Sequence, residues 1–168
     1  MDLKEDIRSC KICPLYQLME TSPIPPDWRG FPEVMFIIDI TVGAIHDLEQ
    51  SPVTGVVRTR FLQLIEQHLE NWYMTPLVKC RPKSTTYSKK VMGDCSYWIN
   101  EEIKRLGPKI IVGCGHRVEQ VVKCNYVCKN PIQITMSGKN EKEFGAILED
   151  IKKELNGNQS QPICYNRF

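Results

Sequence analysis

Residues 34–40 read VMFIIDI, a run of large apolar side chains interrupted only by Asp39. A run that is apolar at every position, rather than at alternate positions, predicts a strand that is buried on both of its faces. Comparable short runs occur at residues 72–78 (WYMTPLV), 109–114 (KIIVGC) and 132–135 (IQIT). The sequence therefore predicts four buried strands.

Segments with helical periodicity separate the predicted strands. Each places apolar side chains three or four positions apart, which predicts an amphipathic helix with one face against the sheet. The three sets are Phe61, Leu62, Ile65 and Leu69; Trp98, Ile99, Ile103 and Leu106; and Phe144, Ile147, Leu148, Ile151 and Leu155. We therefore expect an α/β fold of three layers, α/β/α, around a central, mostly parallel four-stranded sheet. Ligands of such folds bind at the carboxyl ends of the strands.

The length and composition are those of a single folded domain. With 168 residues, 42% of them hydrophobic and 25% charged, the chain can form one core and lacks the bias of disordered or fibrous proteins. Residues 14–33 contain five prolines and little periodicity, so we expect them to wrap the domain. We assign residues 1–155 to the domain and residues 156–168 to a flexible tail, for which a short partner-docking peptide is the alternative.

The sequence contains no membrane or secretion signal. No apolar run approaches the roughly 20 residues that a membrane-spanning helix needs, and the first ten residues, MDLKEDIRSC, lack the basic and apolar regions of a signal peptide. We therefore expect an intracellular, cytoplasmic protein without a membrane partner.

Basic residues are concentrated in the middle of the chain. Residues 55–110 carry ten basic and five acidic side chains, whereas residues 1–54 carry four basic and nine acidic ones. Such an excess suits contact with nucleic-acid phosphates, although a solvated basic surface has the same composition. The candidate DNA-binding residues are Arg58, Arg60, Lys79, Arg81, Lys83, Lys89 and Lys90.

Eight cysteines in an intracellular chain indicate metal binding more than disulfide bonds. Cys10 and Cys13 form a C-x2-C pair, a spacing that lets two thiolates face one ion, and Cys80 and Cys95 can complete the set. Spacing alone is compatible with a zinc ion or with an iron–sulfur cluster.

Other cysteines have no comparable arrangement. Cys114 lies in a predicted strand and is best explained as a small, packed hydrophobic residue. Cys124 and Cys128 are four residues apart, which is compatible with zinc binding, but no second pair accompanies them.

Several longer segments surround the four candidate ligands. They are IRSCKICPLYQ (7–17), VMFI (34–37), SPVTG (51–55) with Phe61 and Leu62 beyond it, TPLVKCRP (75–82), CSYWINEEI (95–103) and LGPKIIVGCG (106–115). Together, over residues 7–155, they resemble the iron–sulfur uracil-DNA glycosylases usually called family 4. The resemblance implies a structural [4Fe-4S] cluster on Cys10, Cys13, Cys80 and Cys95, and zinc on the same ligands is the alternative.

The resemblance also implies where the catalytic acid should lie. The family has a G-E-A-P-G motif after the first strand, and here the same place reads IDITVG (38–43). Asp39 is therefore the candidate catalytic residue, although it is one methylene shorter than glutamate. A positioning error of about 1 Å can reduce a rate on the order of a hundredfold. A strand-end aspartate that stabilises a turn is the alternative interpretation.

Three further pocket positions depart from the family pattern. Val53 stands where the family has a phenylalanine that stacks on uracil, a contact worth roughly 1–3 kcal/mol. Pro76 stands where an asparagine reads the edge of the base, and proline has neither the donor nor the acceptor of that amide. The last motif, H-P-S after the fourth strand, is expected around Met136, but no histidine follows His116.

These departures favour a glycosylase fold without base excision. We expect a non-catalytic protein that binds DNA, or that serves a DNA polymerase or another replication or repair protein, as glycosylase-fold proteins do in some viruses. The divergent sequence suits a viral origin, in which case the protein lies in the host cytoplasm. One alternative is an active DNA glycosylase of altered base specificity that uses Asp39 to position water. The other is a protein-binding regulator that does not contact DNA.

Overall fold

The structure, a computed structural model, describes residues 2–18, 23–39, 51–80 and 88–157. Within these residues the strands form one sheet of five, in the order β1-β3-β2-β4-β5. The strands are β1 (Asp27–Arg29), β2 (Val34–Ile38), β3 (Trp72–Pro76), β4 (Ile110–Cys114) and β5 (Tyr126–Cys128). β1 runs antiparallel to β3, and the other neighbours are parallel, so the sheet is mostly parallel as predicted.

The strand β2 lies at the centre of the sheet. Val34 pairs with Trp72 of β3 on one side and with Ile110 of β4 on the other. All five residues of β2 are buried, as are those of β3 and β4. Burial on both faces explains why these strands are apolar at successive positions.

The prediction of a strand at residues 132–135 is wrong, and the sheet has five strands where four were predicted. These residues belong to a short helix, α4 (Pro131–Thr135), because Pro131 suits the first turn and the side chain of Asn130 accepts a hydrogen bond from the Gln133 N–H at 3.0 Å. A run of four residues is too short for periodicity to distinguish a strand from a helix. The strand next to β4 is β5 instead.

Three helices cover one face of the sheet. They are α2 (Gly55–Glu66), α4, and α5 (Gly138–Gly157). Phe61 of α2 and Phe144 of α5 stack with their ring centres 5.1 Å apart, and both contact the edge of Phe36 in β2. The apolar periodicity of two predicted helices is thus confirmed, and it builds the first half of the core.

The opposite face is covered by α3 (Lys89–Leu106), together with α1 (Leu3–Arg8) and a 3-10 helix at Pro14–Leu18. Ile99 and Ile103 of α3 pack in a second core with Met35 and Ile37 of β2. The two helical layers enclose the sheet, which confirms the three-layer α/β/α prediction.

The Pro-rich segment packs against the domain where the structure describes it, and residues 23–26 are buried. The backbone N–H of Ile24 donates to the Lys79 carbonyl at 2.6 Å, and β1 forms the antiparallel edge of the sheet. Helix α5 extends to Gly157, two residues into the predicted tail, and residues 158–168 lie outside the described residues. Among the described helices, none has the length and apolar character needed to span a membrane.

Candidate metal centre and the carboxyl edge of the sheet

The fold brings the four predicted cysteine ligands together. Cys10 and Cys13 lie between α1 and the 3-10 helix, Cys80 follows β3, and Cys95 lies in the second turn of α3. Cys13, Cys80 and Cys95 are buried, and Cys10 is half-buried. The thiol of Cys80 interacts electrostatically with the other three. We call these four residues the cysteine site.

Burial keeps two of these thiols protonated when no metal is bound. It raises the pKa of Cys80 to about 12, and the nearby thiols of Cys95, Cys13 and Cys10 add to the rise. Burial also raises the pKa of Cys95 to about 11, against the opposing effect of the Lys79 backbone N–H and ammonium. Because metals bind the thiolate, a metal ion or cluster at this site displaces protons.

The thiols are not arranged around one ion. In the described part of the chain, no group of three or more His, Cys, Asp or Glu side chains could hold a metal ion. A zinc site places its sulfurs about 2.3 Å from a common centre, whereas the cysteines of a four-iron cluster bind different irons. The four thiols interact electrostatically and suit a thiophilic group by their chemistry, but they form no preformed tetrahedron for zinc.

Lys79 is buried beside the cysteine site and is not a DNA contact. Its ammonium lies 2.9 and 2.7 Å from the two carboxylate oxygens of Glu102, and it also contacts the Thr75 hydroxyl and the Pro76 carbonyl. Both charged side chains are 0% exposed. The phosphate-binding prediction for Lys79 is therefore wrong, because this side chain points into the interior between β3 and α3.

The other candidate DNA-binding residues fall into three groups. Arg58 pairs with Asp27 at 2.6 Å, and Arg60 makes two hydrogen bonds to Glu141, so both already bind carboxylates of their own chain. Lys89 and Lys90 are exposed at the start of α3. The remaining two, Arg81 and Lys83, lie outside the described residues.

Asp39 lies at the carboxyl end of β2 and is held by an arginine. Arg117 donates from Nε to Oδ2 at 2.9 Å, and its second nitrogen lies 2.8 Å from Oδ1. The side chain of Asp39 is 1% exposed and that of Arg117 is 14% exposed. Gly115 permits the close approach, because its φ is +116° and an added Cβ would lie 2.5 Å from the Cβ of Asp39.

Sequence reasoning missed Arg117. It follows β4, which lies beside β2 in the sheet, so the parallel topology places the end of β4 against the end of β2. The sequence does show a basic residue just beyond the third predicted strand. The strand order is needed to identify Asp39 as its partner. We call Asp39 and Arg117 the edge ion pair.

Two other predicted pocket positions are buried apolar side chains. Val53 is buried in the first core with Phe61 and Leu64, and Pro76 is buried at the end of β3 opposite Ile38. Neither side chain can make a hydrogen bond to a base. His46 lies outside the described residues.

The assignment of the last motif to the region of Met136 is wrong. Met136 is 79% exposed beyond the end of α4. β5 is the last described strand and ends at Cys128, so Lys129, Asn130 and Pro131 follow it. Asn130 caps α4.

A cleft of about 490 Å³ opens at the carboxyl ends of β4 and β5. Its lining includes His116, Cys128, Lys129 and Asn140, with Ile134 and Phe144 on the apolar side. His116 therefore faces this cleft. The cleft and the edge ion pair lie at the same edge of the sheet, where α/β folds bind ligands.

Comparison with known proteins places the chain in a family. The sequence model described as Uracil DNA glycosylase superfamily matches residues 35–152. The chain belongs to the uracil-DNA glycosylase superfamily. It is also 32% identical over 118 residues to the type-4 uracil-DNA glycosylase of Sulfurisphaera tokodaii, and 25% identical over 125 residues to that of Archaeoglobus fulgidus.

These matches cover 67% and 72% of this chain but only 53% and 62% of the two relatives. The chain thus spans between half and two thirds of the length of the curated relatives that it matches. The superfamily match includes Asp39, Cys80 and Cys95, whereas Cys10 and Cys13 precede it.

Proposed function

We propose that this chain is a non-catalytic member of the superfamily that carries a structural [4Fe-4S] cluster and binds DNA. In this proposal it acts as an accessory factor of a DNA polymerase or of another replication or repair protein, and a viral setting fits its divergent pocket. The two relatives are named glycosylases, so the loss of excision is a departure from them.

The edge ion pair carries the proposal. A carboxylate that positions water needs an oxygen turned toward the substrate, but Arg117 engages both oxygens of Asp39 in a buried, charge-assisted arrangement. The pair has the geometry of a structural clamp between the ends of β2 and β4. In this proposal, Asp39 serves the strand-end role that was the alternative interpretation of the sequence.

The lack of base-reading groups supports the same conclusion. Pro76 and Val53 are packed into the sheet and the core, and Asn130 is engaged as a helix cap. Sites that recognise a base by hydrogen bonds discriminate against other bases by a factor on the order of 10⁴. Pro76 lacks the side-chain amide that would provide this selectivity.

The cysteine site supports a cluster with a structural role. It joins the segment after α1 to the turn after β3 and to α3, so a bound cluster would hold three separate segments together. The indole N–H of Trp98 is buried and has no hydrogen-bond partner among the described residues, and Trp98 lies three positions after Cys95 on α3. Hydrogen-bond donors near cluster sulfurs are a common feature of such sites.

Exposed lysines support DNA contact at the start of α3. Lys89 and Lys90 are exposed, in contrast to Lys79, with Lys90 paired to Asp94 at 3.2 Å, and Arg81 and Lys83 precede them in the chain. A protein that neutralises phosphates loses affinity with salt, by almost one unit of logarithmic slope for each phosphate. We therefore expect duplex or single-stranded DNA to bind with a steep salt dependence.

The test starts from protein purified without oxygen and analysed for iron, sulfide and zinc. We expect about four irons and four sulfides per chain, binding to labelled DNA that weakens with salt, and no alkali-labile sites in duplexes that contain uracil or hypoxanthine. Excision that is abolished by Asp39→Asn would establish the active glycosylase instead. Partner capture that survives nuclease, without DNA binding, would establish the protein-binding regulator.

A further inference from the structure

A second pair of thiols lies on the opposite side of the sheet from the cysteine site. Cys114 is the last residue of β4, Cys128 is the last residue of β5, and the two are partners in the parallel register. Both side chains pack in the core formed with α2 and α5. Their sulfur atoms are 3.3 Å apart.

The backbone positions of this pair suit a disulfide. Neighbouring strands lie about 4.8 Å apart, within the range of about 4.4–6.8 Å between Cα atoms that disulfides span. Formation of the bond requires the two sulfurs to approach to about 2.05 Å. The two strands are already hydrogen-bonded, so the sulfurs approach by rotation of the two side chains and not by movement of the strands.

The two thiols differ in their access to solvent. Cys128 is half-buried and lines the cleft at the carboxyl end of the sheet, so a small reagent can reach it. Cys114 is fully buried, and burial raises its pKa well above the usual value. Cys128 is therefore the sulfur that meets an oxidant first, and Cys114 is placed to react second.

We propose that Cys114 and Cys128 are a redox-active pair that a small disulfide of the glutathione type converts to an intramolecular disulfide. The Cys128 thiolate attacks the oxidant and forms a mixed disulfide, releasing one glutathione thiolate. The Cys114 thiolate then attacks Cys128 and releases the second glutathione. The protein loses two thiol protons and two electrons, and one oxidised glutathione becomes two reduced molecules.

The bond would form next to the edge ion pair. The backbone N–H of Asp39 donates to the Cys114 carbonyl at 2.9 Å, and the Gly115 N–H donates to the Cys128 carbonyl at 2.9 Å. A disulfide would therefore hold β5 against β4 at the wall of the cleft, two residues before Asn130.

Cys124 supplies a matched control. It is four residues from Cys128 but packs with the second core, on the other face of the sheet. An added Cβ on Gly113 would lie 2.9 Å from the Cys124 sulfur, which places this thiol against the backbone of β4. Cys124 therefore resembles Cys128 in sequence position and partial burial, but it has no cysteine opposite it in the strand register.

The experiment uses the full chain with its metal bound, kept without oxygen and incubated with oxidised glutathione. Free thiols are blocked with N-ethylmaleimide, and the metal content and the peptide map are measured. We expect two fewer blocked thiols at unchanged metal content, and one linked peptide pair that joins Cys114 to Cys128. Cys124→Ser should leave this link intact, and Cys128→Ser should abolish it.

A second variant keeps the test decisive if one substitution impairs folding. In Cys114→Ser, the mixed disulfide on Cys128 has no second thiol to resolve it, so glutathione should remain attached. The proposal is overturned if wild-type protein also stops at the mixed disulfide, if neither thiol reacts, or if the linked peptide joins Cys124 instead.

Discussion

One buried ion pair lies beside the cysteine site, and another lies at the carboxyl edge of the sheet. The two differ in whether the pair includes a candidate functional side chain. Lys79 and Glu102 satisfy each other between β3 and α3, beside the four thiols, and the Lys79 backbone N–H donates to the Cys95 thiol. Asp39 and Arg117 satisfy each other at the position where a substrate would bind. The first pair thus lies beside the candidate metal ligands, whereas the second engages the candidate catalytic carboxylate itself.

The largest effect should follow from breaking the Lys79–Glu102 pair. Glu102→Leu leaves an ammonium buried without its counter-ion, which costs about 3–5 kcal/mol in the free energy of unfolding. Urea denaturation of the metal-bound protein measures this loss. Asp94→Leu, which breaks the exposed Lys90–Asp94 pair on the same helix, should cost less than about 1 kcal/mol.

The double variant Lys79→Met/Glu102→Leu separates charge from packing. Two apolar side chains of similar volume remove both buried charges, so we expect most of the lost stability to return. A double variant as unstable as Glu102→Leu would show that the pair is not the cause of the loss.

Breaking the edge ion pair should also lower the free energy of unfolding, but by less than breaking the Lys79–Glu102 pair. Arg117→Met leaves the Asp39 carboxylate buried, and we expect a loss of about 2–3 kcal/mol, reduced by the partial exposure of Arg117. Asp39→Asn in the same chain should restore part of it. Because Pro76 and Val53 remain, Arg117→Met should not release uracil from DNA, and release by this variant would contradict the closed-pocket interpretation.

In metal-free protein, the free energy of unfolding should fall as the pH rises above 9. Cys80 and Cys95 have pKa values raised to about 12 and about 11, whereas the ordinary value is 9.0. The unfolded chain therefore loses these protons first, and the stability that is present below pH 9 falls as the pH rises toward 12. Thermal unfolding of metal-free protein measures the fall, which Cys80→Ser should reduce.

The smallest effect concerns the exposed surface. Lys89→Gln/Lys90→Gln removes two charges at the start of α3 and should lower the slope of log affinity for DNA against log salt by at most about 2. Lys152→Gln/Lys153→Gln on α5 removes two similarly exposed lysines from the other face and should leave the slope unchanged. Equal changes in both variants would show that net charge, not a located surface, attracts DNA.

Sequence patterns predicted the parts of the fold that depend on local repetition. The apolar runs of β2, β3 and β4 and the helical faces of α2, α3 and α5 are confirmed, because burial imposes a visible period over many residues. β5 and α4 were missed or misassigned because each is short. The decisive local feature there is the cap formed by Asn130 and Pro131, not hydrophobic periodicity.

The sequence alone determined the layer architecture, the family resemblance and the set of four cysteines, since periodicity and motif spacing are properties of the linear chain. Only the tertiary structure decided that Lys79 is interior, that Arg117 clamps Asp39, and that Cys114 and Cys128 are partners. These contacts join residues from different elements of the chain. Their physical basis is the order and parallel register of the strands, which set neighbours that no local pattern specifies.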